Sequence, residues 1–179
     1  MLVLLASVFG IRPALATNYS CVWAATTGNA WTTPANWTSC NSTDPDNGSG
    51  NTFDATIGDG GTSVLSSASI TVGNISISGS LDLQNSAALT TTSGVTVNGP
   101  SGQLYLDTGG TGGSQMTVGG NLTNTANDYS GIEVGNSGMS KASSLTVDGS
   151  FTNTGGYLAL AGGSGVAATS TMTVNGTNA

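Results

Sequence analysis

Acid–base chemistry at neutral pH needs carboxylates, histidines or cations that can meet, and this chain holds few of them. It has nine Asp and Glu, two Lys and Arg, and no His. The single Glu is Glu133, the single Lys is Lys141 and the single Arg is Arg12. Asp82 and Asp107 are the pair to weigh, since both are expected to point outward and lie 25 positions apart. A retaining glycoside hydrolase sets two carboxyl groups about 5 Å apart. Laying Leu81 and Leu83 on Leu104 and Leu106 gives an offset of 23, which puts Tyr105 over Asp82 and leaves the two acids diagonal. Lyase chemistry lacks a cation, because Lys141 lies in a Gly/Ser-rich loop. Nucleophilic triads fail for want of His and of a G-x-S-x-G elbow. The stretch GGTGG at 109–113 has no following helix and no Lys, so it is not a phosphate loop. These aspartates are expected to keep the surface soluble, and no residue is expected to be catalytic.

Metal and redox chemistry are as thinly supplied. The loop DPDNGSGNTFD sets Asp44, Asp46, Asn47, Asn51 and Asp54 among glycines, and hard oxygens suit Ca²⁺. Its spacing departs from the EF-hand, with Gly48 one residue early and no closing Glu, and a turn-rich polar loop explains it equally well. No metal and no cofactor are assigned. Cys21 and Cys40 are expected to form a disulfide, closing a loop of about 20 residues worth ~3 kcal/mol. A tetrahedral metal shell would need ligands this chain lacks. Trp23, Trp31 and Trp37 fall in the same stretch and carry two readings: a hydrophobic cap, or a face on which sugars stack.

The chain also carries an address and a charge. MLVLLASVFGI is too short to span a bilayer and leads to Ala14-Leu15-Ala16, an A-x-A cleavage pattern. Residues 1–16 therefore read as a signal peptide handled by the secretion machinery, although Arg12 follows the apolar run instead of preceding it. The net charge is −7 with 6% charged residues. Removing Arg12 leaves Lys141 against nine acids, or −8. This balance excludes the basic footprint that nucleic-acid binding needs and makes polyphosphates and anionic membrane surfaces poor partners. Asn-x-Ser/Thr triplets, as at Asn74 and Asn121, matter only in a host that N-glycosylates.

The elements that must position these residues are strands. A phrase of an aliphatic residue, Thr-Val and a turn recurs as ITVGN at 70, VTVNG at 95, MTVGG at 116, LTVDG at 145 and MTVNG at 172, with spacings of 25, 21, 29 and 27. Inside the repeats the period is two: Leu81 and Leu83 flank Asp82, Leu104 and Leu106 flank Tyr105, and Ile132 and Val134 flank Glu133. Apolar residues nowhere recur at helical spacing through ten residues of the mature chain, so the fold class is all-β. Short strands repeating in one direction predict a parallel β-helix, a solenoid of about five circuits of roughly 25 residues. Inward ladders would include Met116, Leu145 and Met172, with Val118, Val147 and Val174 beside them. QMTVGGNLTNT and SLTVDGSFTNT then read as strand, corner and next strand, with Leu122 and Phe151 inward and Asn124 and Asn153 at a turn. The division is signal peptide 1–16, a Trp- and Cys-containing cap 17–60, and solenoid repeats 61–179 that end inside a repeat, as a fragment would.

The entry segment Trp31, Asn36-Trp37, Asp54-Ala55 and Ile57, followed by circuits like LTVxGxLTNTGxLxLxG over residues 23–176, resembles bacterial secreted β-helix repeat proteins. These are the passengers of autotransporters and filamentous-haemagglutinin-like surface proteins. The resemblance implies a right-handed parallel β-helix, export, display at the cell surface or outer membrane, and adhesion to host or environmental glycans or surface proteins. It carries no catalytic residue. A non-catalytic structural or adhesin-like protein is the expectation, and a carbohydrate-binding or carbohydrate-active module is its alternative. Ice binding would need a regular T-x-T ladder, for which TTTSGVTV is the only hint.

Overall fold

The computed structural model describes residues 16–25, 29–48, 50–107, 112–135, 140–160 and 169–176. The segment up to residue 15, expected from the sequence to belong to a signal peptide, and most of the GGTGG stretch lie outside the described residues. After β1 (Asn18–Trp23), a 3-10 turn (Pro34–Asn36) and β2 (Trp37–Thr38), fifteen strands follow in rotation through three sheets. The first sheet takes β3 (Thr52–Ile57), β6 (Ile75–Ile77), β9 (Val95–Gly99), β12 (Leu122–Ala126) and β15 (Phe151–Asn153). The second takes β4 (Thr62–Ser66), β7 (Ser80–Gln84), β10 (Gln103–Leu106), β13 (Gly131–Val134) and β16 (Tyr157–Leu160). The third takes β5 (Ser69–Val72), β8 (Ala88–Thr91), β11 (Gln115–Val118), β14 (Ser144–Val147) and β17 (Thr171–Val174). Each of these strands pairs in parallel with the one three places further on. The expected all-β class and in-register repetition are therefore present.

The period of two decides what is buried. Alternate residues of each strand face inward, as in the buried Leu81 and Leu83 on either side of half-buried Asp82. The inward rows of all three sheets join one hydrophobic cluster. In the third sheet the row runs Ile70, Leu89, Met116, Leu145, Met172. The repeat phrase itself needs one correction. Four of its copies lie in this sheet, but VTVNG at 95 is β9, in the first sheet, and its place in the third is taken by Ala88–Thr91. A strand's own pattern says that it is a strand and not which sheet it joins. The phrase pair QMTVGGNLTNT and SLTVDGSFTNT does run strand, corner, next strand: β11 to β12 and β14 to β15.

Unequal repeat length is absorbed at one corner, from the second sheet to the third. That connection grows from residues 67–68 and 85–87 to 107–114, 135–143 and 161–170. It starts with a left-handed residue in four successive rounds: Ser67, Asn85, Asp107 and Gly135, at φ 54°, 57°, 61° and 84°. Asn and Asp tolerate this conformation because their side chains bond locally.

Residues 17–51 cover the first edge of each sheet by a different device. β1 pairs with β3 in parallel and with β2 antiparallel. Trp31 N–H donates to the Val64 carbonyl and Val64 N–H to that of Asn29, closing the β4 edge. At β5, Asn47 N–H donates to the Thr71 carbonyl while Thr71 N–H donates to the Asp46 carboxylate at 2.9 Å. At the far end, Leu158 and Leu160 of β16 are 37% and 50% exposed, so the core thins there.

Candidate binding face

The three sheets turn different chemistry outward. On the third, Thr71, Thr90, Thr117, Thr146 and Thr173 stand in register as one column of hydroxyls. The column beside it reads Ser69, Ala88, Gln115, Ser144 and Thr171, so of these strands β17 alone completes T-x-T. On the first, Thr56, Ser76, Thr96, Thr123 and Thr152 form a similar ladder. Both columns are small, neutral and repetitive, and the first sheet adds the outward Asp54 on β3.

The second sheet differs. One outward column runs Val64, Asp82, Tyr105, Glu133, Ala159, and its neighbour runs Thr62, Ser80, Gln103, Gly131, Tyr157. The placement of Tyr105 over Asp82 expected from the offset of 23 is the register found. Tyr157 O–H donates to the Tyr105 hydroxyl at 3.4 Å. Their strands are two rungs apart, roughly 9.6 Å. Rings standing straight off the sheet would keep the hydroxyls at least that far apart, so the rings must lean along the sheet toward each other. Gly131, on the intervening strand in the Tyr157 column, has φ +150°, and a Cβ there would collide with the Tyr157 backbone. Gln84 Nε2 donates to Asp82 Oδ2. Burial raises the Tyr105 phenol above its ordinary value, and the Tyr157 hydroxyl and the charges of Glu133 and Asp82 raise it further. The phenol is therefore a neutral hydrogen-bonding group at any physiological pH, with carboxylates on both sides.

Asp107 is not where the sequence reading put it. It was expected to point outward beside Asp82, and it is fully buried. Its left-handed backbone at the corner turns the side chain inward. There Oδ1 accepts from Asn85 N–H at 3.1 Å and the Ser114 hydroxyl at 2.9 Å, and Oδ2 from Ser114 N–H at 2.7 Å and the Ser143 hydroxyl at 2.6 Å. One carboxylate thus ties three successive rounds together. A glycosidic water between Asp82 and Asp107 has no place in this arrangement. Between Asp82 and Glu133, Tyr105 stands in register on the intervening strand.

Cys21 and Cys40 are joined, with 4.7 Å between their Cα atoms, and the bond points to an oxidising compartment. Trp23, Trp31 and Trp37 are all buried. The Trp37 ring packs edge-on against Trp23 at 5.0 Å and Trp31 at 4.8 Å. Two of the indole N–H groups are also engaged: Trp31 Nε1 donates to the Pro45 carbonyl and Trp37 Nε1 to that of Trp31. Trp31 is fully covered, whereas Trp23 borders a shallow depression with Ala24, Ala25 and Asp59. The oxygens considered for calcium are spread among backbone donors: Asp46 to Thr71, Asn47 to Phe53, Asp54 to Asn74. Among the described residues no group of three or more His, Cys, Asp or Glu side chains is gathered for a metal.

Glu133 and Tyr157 escaped the sequence reading as site residues. The offset that set Tyr105 on Asp82 would have found Glu133 had it been carried one round further, by 28 positions. Corner amides were also underread. Asn74 Oδ1 accepts from Gly94 N–H and Asn121 Oδ1 from Ser150 N–H, each satisfying the next round's turn. Asn124 and Asn153, expected at a turn, lie instead in strands: Asn124 is buried within β12, accepting from Ala126 N–H and donating to the Tyr157 carbonyl, and Asn153 ends β15 exposed.

No protein-family model, no curated protein and no solved structure matches this chain.

Proposed function

We propose that the chain is an exported parallel β-helix displayed outside the cell as a structural and adhesive element, of the kind found in autotransporter passengers, and that it is not an enzyme. The observation that carries the reading is the repetition of register. Each strand meets the one three places on with its outward side chains aligned, so the Thr column of the third sheet repeats at about the strand spacing, ~4.8 Å. Surfaces built this way are stiff and offer many weak, identical contacts. The disulfide favours an oxidising exterior. The inventory favours binding over catalysis, because acid–base work lacks a second polar group with room for a water.

An antiserum raised against the folded chain should label intact cells of the source organism, with Cys21 and Cys40 resistant to alkylation until reduced. Labelling that requires permeabilised cells, or thiols that alkylate without reduction, would overturn the reading. A glycan-binding role is favoured by one specific observation, the tyrosine and carboxylate face of the second sheet.

A further inference from the structure

Three of the four tyrosines gather on one side of the molecule. Tyr105 and Tyr157 lie head to head along the second sheet. Tyr129 stands 92% exposed in the turn that enters β13, two residues before Gly131. It borders a depression of about 430 Å³ with Asn127, Asp128, Thr125 and Gly155. Gly155 lies two residues before Tyr157, so the depression opens at the entrance of the same two strands that carry Gly131 and Tyr157. The fourth tyrosine, Tyr19, stacks on Phe53 in the cap.

We infer that this side is a binding subsite for a non-anionic glycan, seated in the depression against Tyr129 and running across the second sheet over the Tyr157–Tyr105 strip. The leaning rings present apolar faces to sugar C–H groups. Gln103, Gln84, Asn127 and the carboxylates Asp82, Glu133 and Asp128 offer hydrogen bonds to hydroxyls or amines. Charge settles the class. The face carries three carboxylates, and the mature chain's one cation, Lys141, belongs to the other corner, bridged to Gly112. A uronate polymer would be repelled, whereas a neutral or amine-bearing glycan would not. Neither threonine face offers aromatic rings.

The inference gives the adhesive reading a ligand, and its test uses purified chain, so it can fail while surface display stands. The mature chain is run in native gels containing hydroxyethyl cellulose, glycol chitosan or polygalacturonate. Retardation by either or both of the first two and not by the third is expected. Tyr129→Ala and Tyr105→Ala should each weaken it about tenfold, and Thr32→Ala, at an exposed position before β3, should leave it unchanged. Tyr129 is almost fully exposed, so its variant tests the site without disturbing the core. The inference is overturned if neither neutral nor cationic polymer retards the chain. Equal retardation by polygalacturonate, or binding by the folded Tyr129→Ala chain as tight as the parent's, overturns it as well.

Discussion

The segment 17–51 and the array that follows solve the same problem in opposite ways. Each must bury apolar side chains and satisfy strand edges. The array does so by repetition: Ile70, Leu89, Met116, Leu145 and Met172 share one row, and each strand is its neighbour's edge cover. The first edge has no preceding round, so the cap covers it with contacts that occur once. These are the disulfide, the three tryptophans and the Asp46 carboxylate on Thr71. Exposed strand edges invite pairing with other chains, which is why such unique contacts are needed. Damage to a singular contact should be felt whole, while damage to a repeated one is shared.

The largest expected loss tests the singular side. Trp31→Ala empties a fully buried site that also anchors the β4 edge, and it should cost about 4 kcal/mol by urea unfolding. A cost below about 1 kcal/mol would mean the cap does not support the array. Replacing Cys21 and Cys40 together by Ser should cost about 3 kcal/mol under oxidising conditions. Under a strong reductant the parent and the variant should unfold alike, and a gap that persists would point to packing instead of the cross-link.

Asp107 is where the array itself becomes singular. Asp107→Ala strands the Ser114 and Ser143 hydroxyls inside the corner and should cost about 2 kcal/mol, with Asp107→Asn milder since one acceptor oxygen remains. Equal costs for the two variants would show that the hydrogen bonds are not what holds the corner. The smallest effect is read in pH. Partial burial pushes the Asp54 carboxyl up, but hydrogen bonds from Asn18 and from the Asn74 backbone and side chain outweigh it and hold the group below its ordinary 3.8. Its contribution is then full above that unfolded value and is lost as pH falls through the lower folded one. Solvent screening keeps it small. Asp54→Asn should therefore lower neutral stability slightly and converge with the parent as pH falls below about 4, flattening the acid limb, and an unaltered acid limb would remove Asp54 from the account.

Much of the fold was legible. Period-two triplets such as Leu104-Tyr105-Leu106 named the strands and their inward faces, and the Leu81/Leu104 alignment named a register. The candidate site was half legible: Tyr105 over Asp82 came from that alignment, while Glu133 and Tyr157 did not. Asp107 was misread because the pattern Leu104, Leu106 predicts that the residue after Leu106 faces out. The strand ends there, and a left-handed corner breaks the alternation. The tryptophans were readable as cap or as ligand face, and their burial became visible only in the packing, because composition says nothing about where a ring's face goes.

By itself, then, the sequence determined the all-β class, the inward rows, the Cys pair and the shortage of catalytic groups, all of which are local or additive properties. Tertiary structure alone decided which strand joins which sheet, that Asp107 knots a corner, and that three tyrosines from different rounds share a side. The physical reason is that alternation is stored within each strand, whereas register sums the lengths of every connection between partners. Where the second-to-third corner grows from two residues to ten, no single strand records the shift.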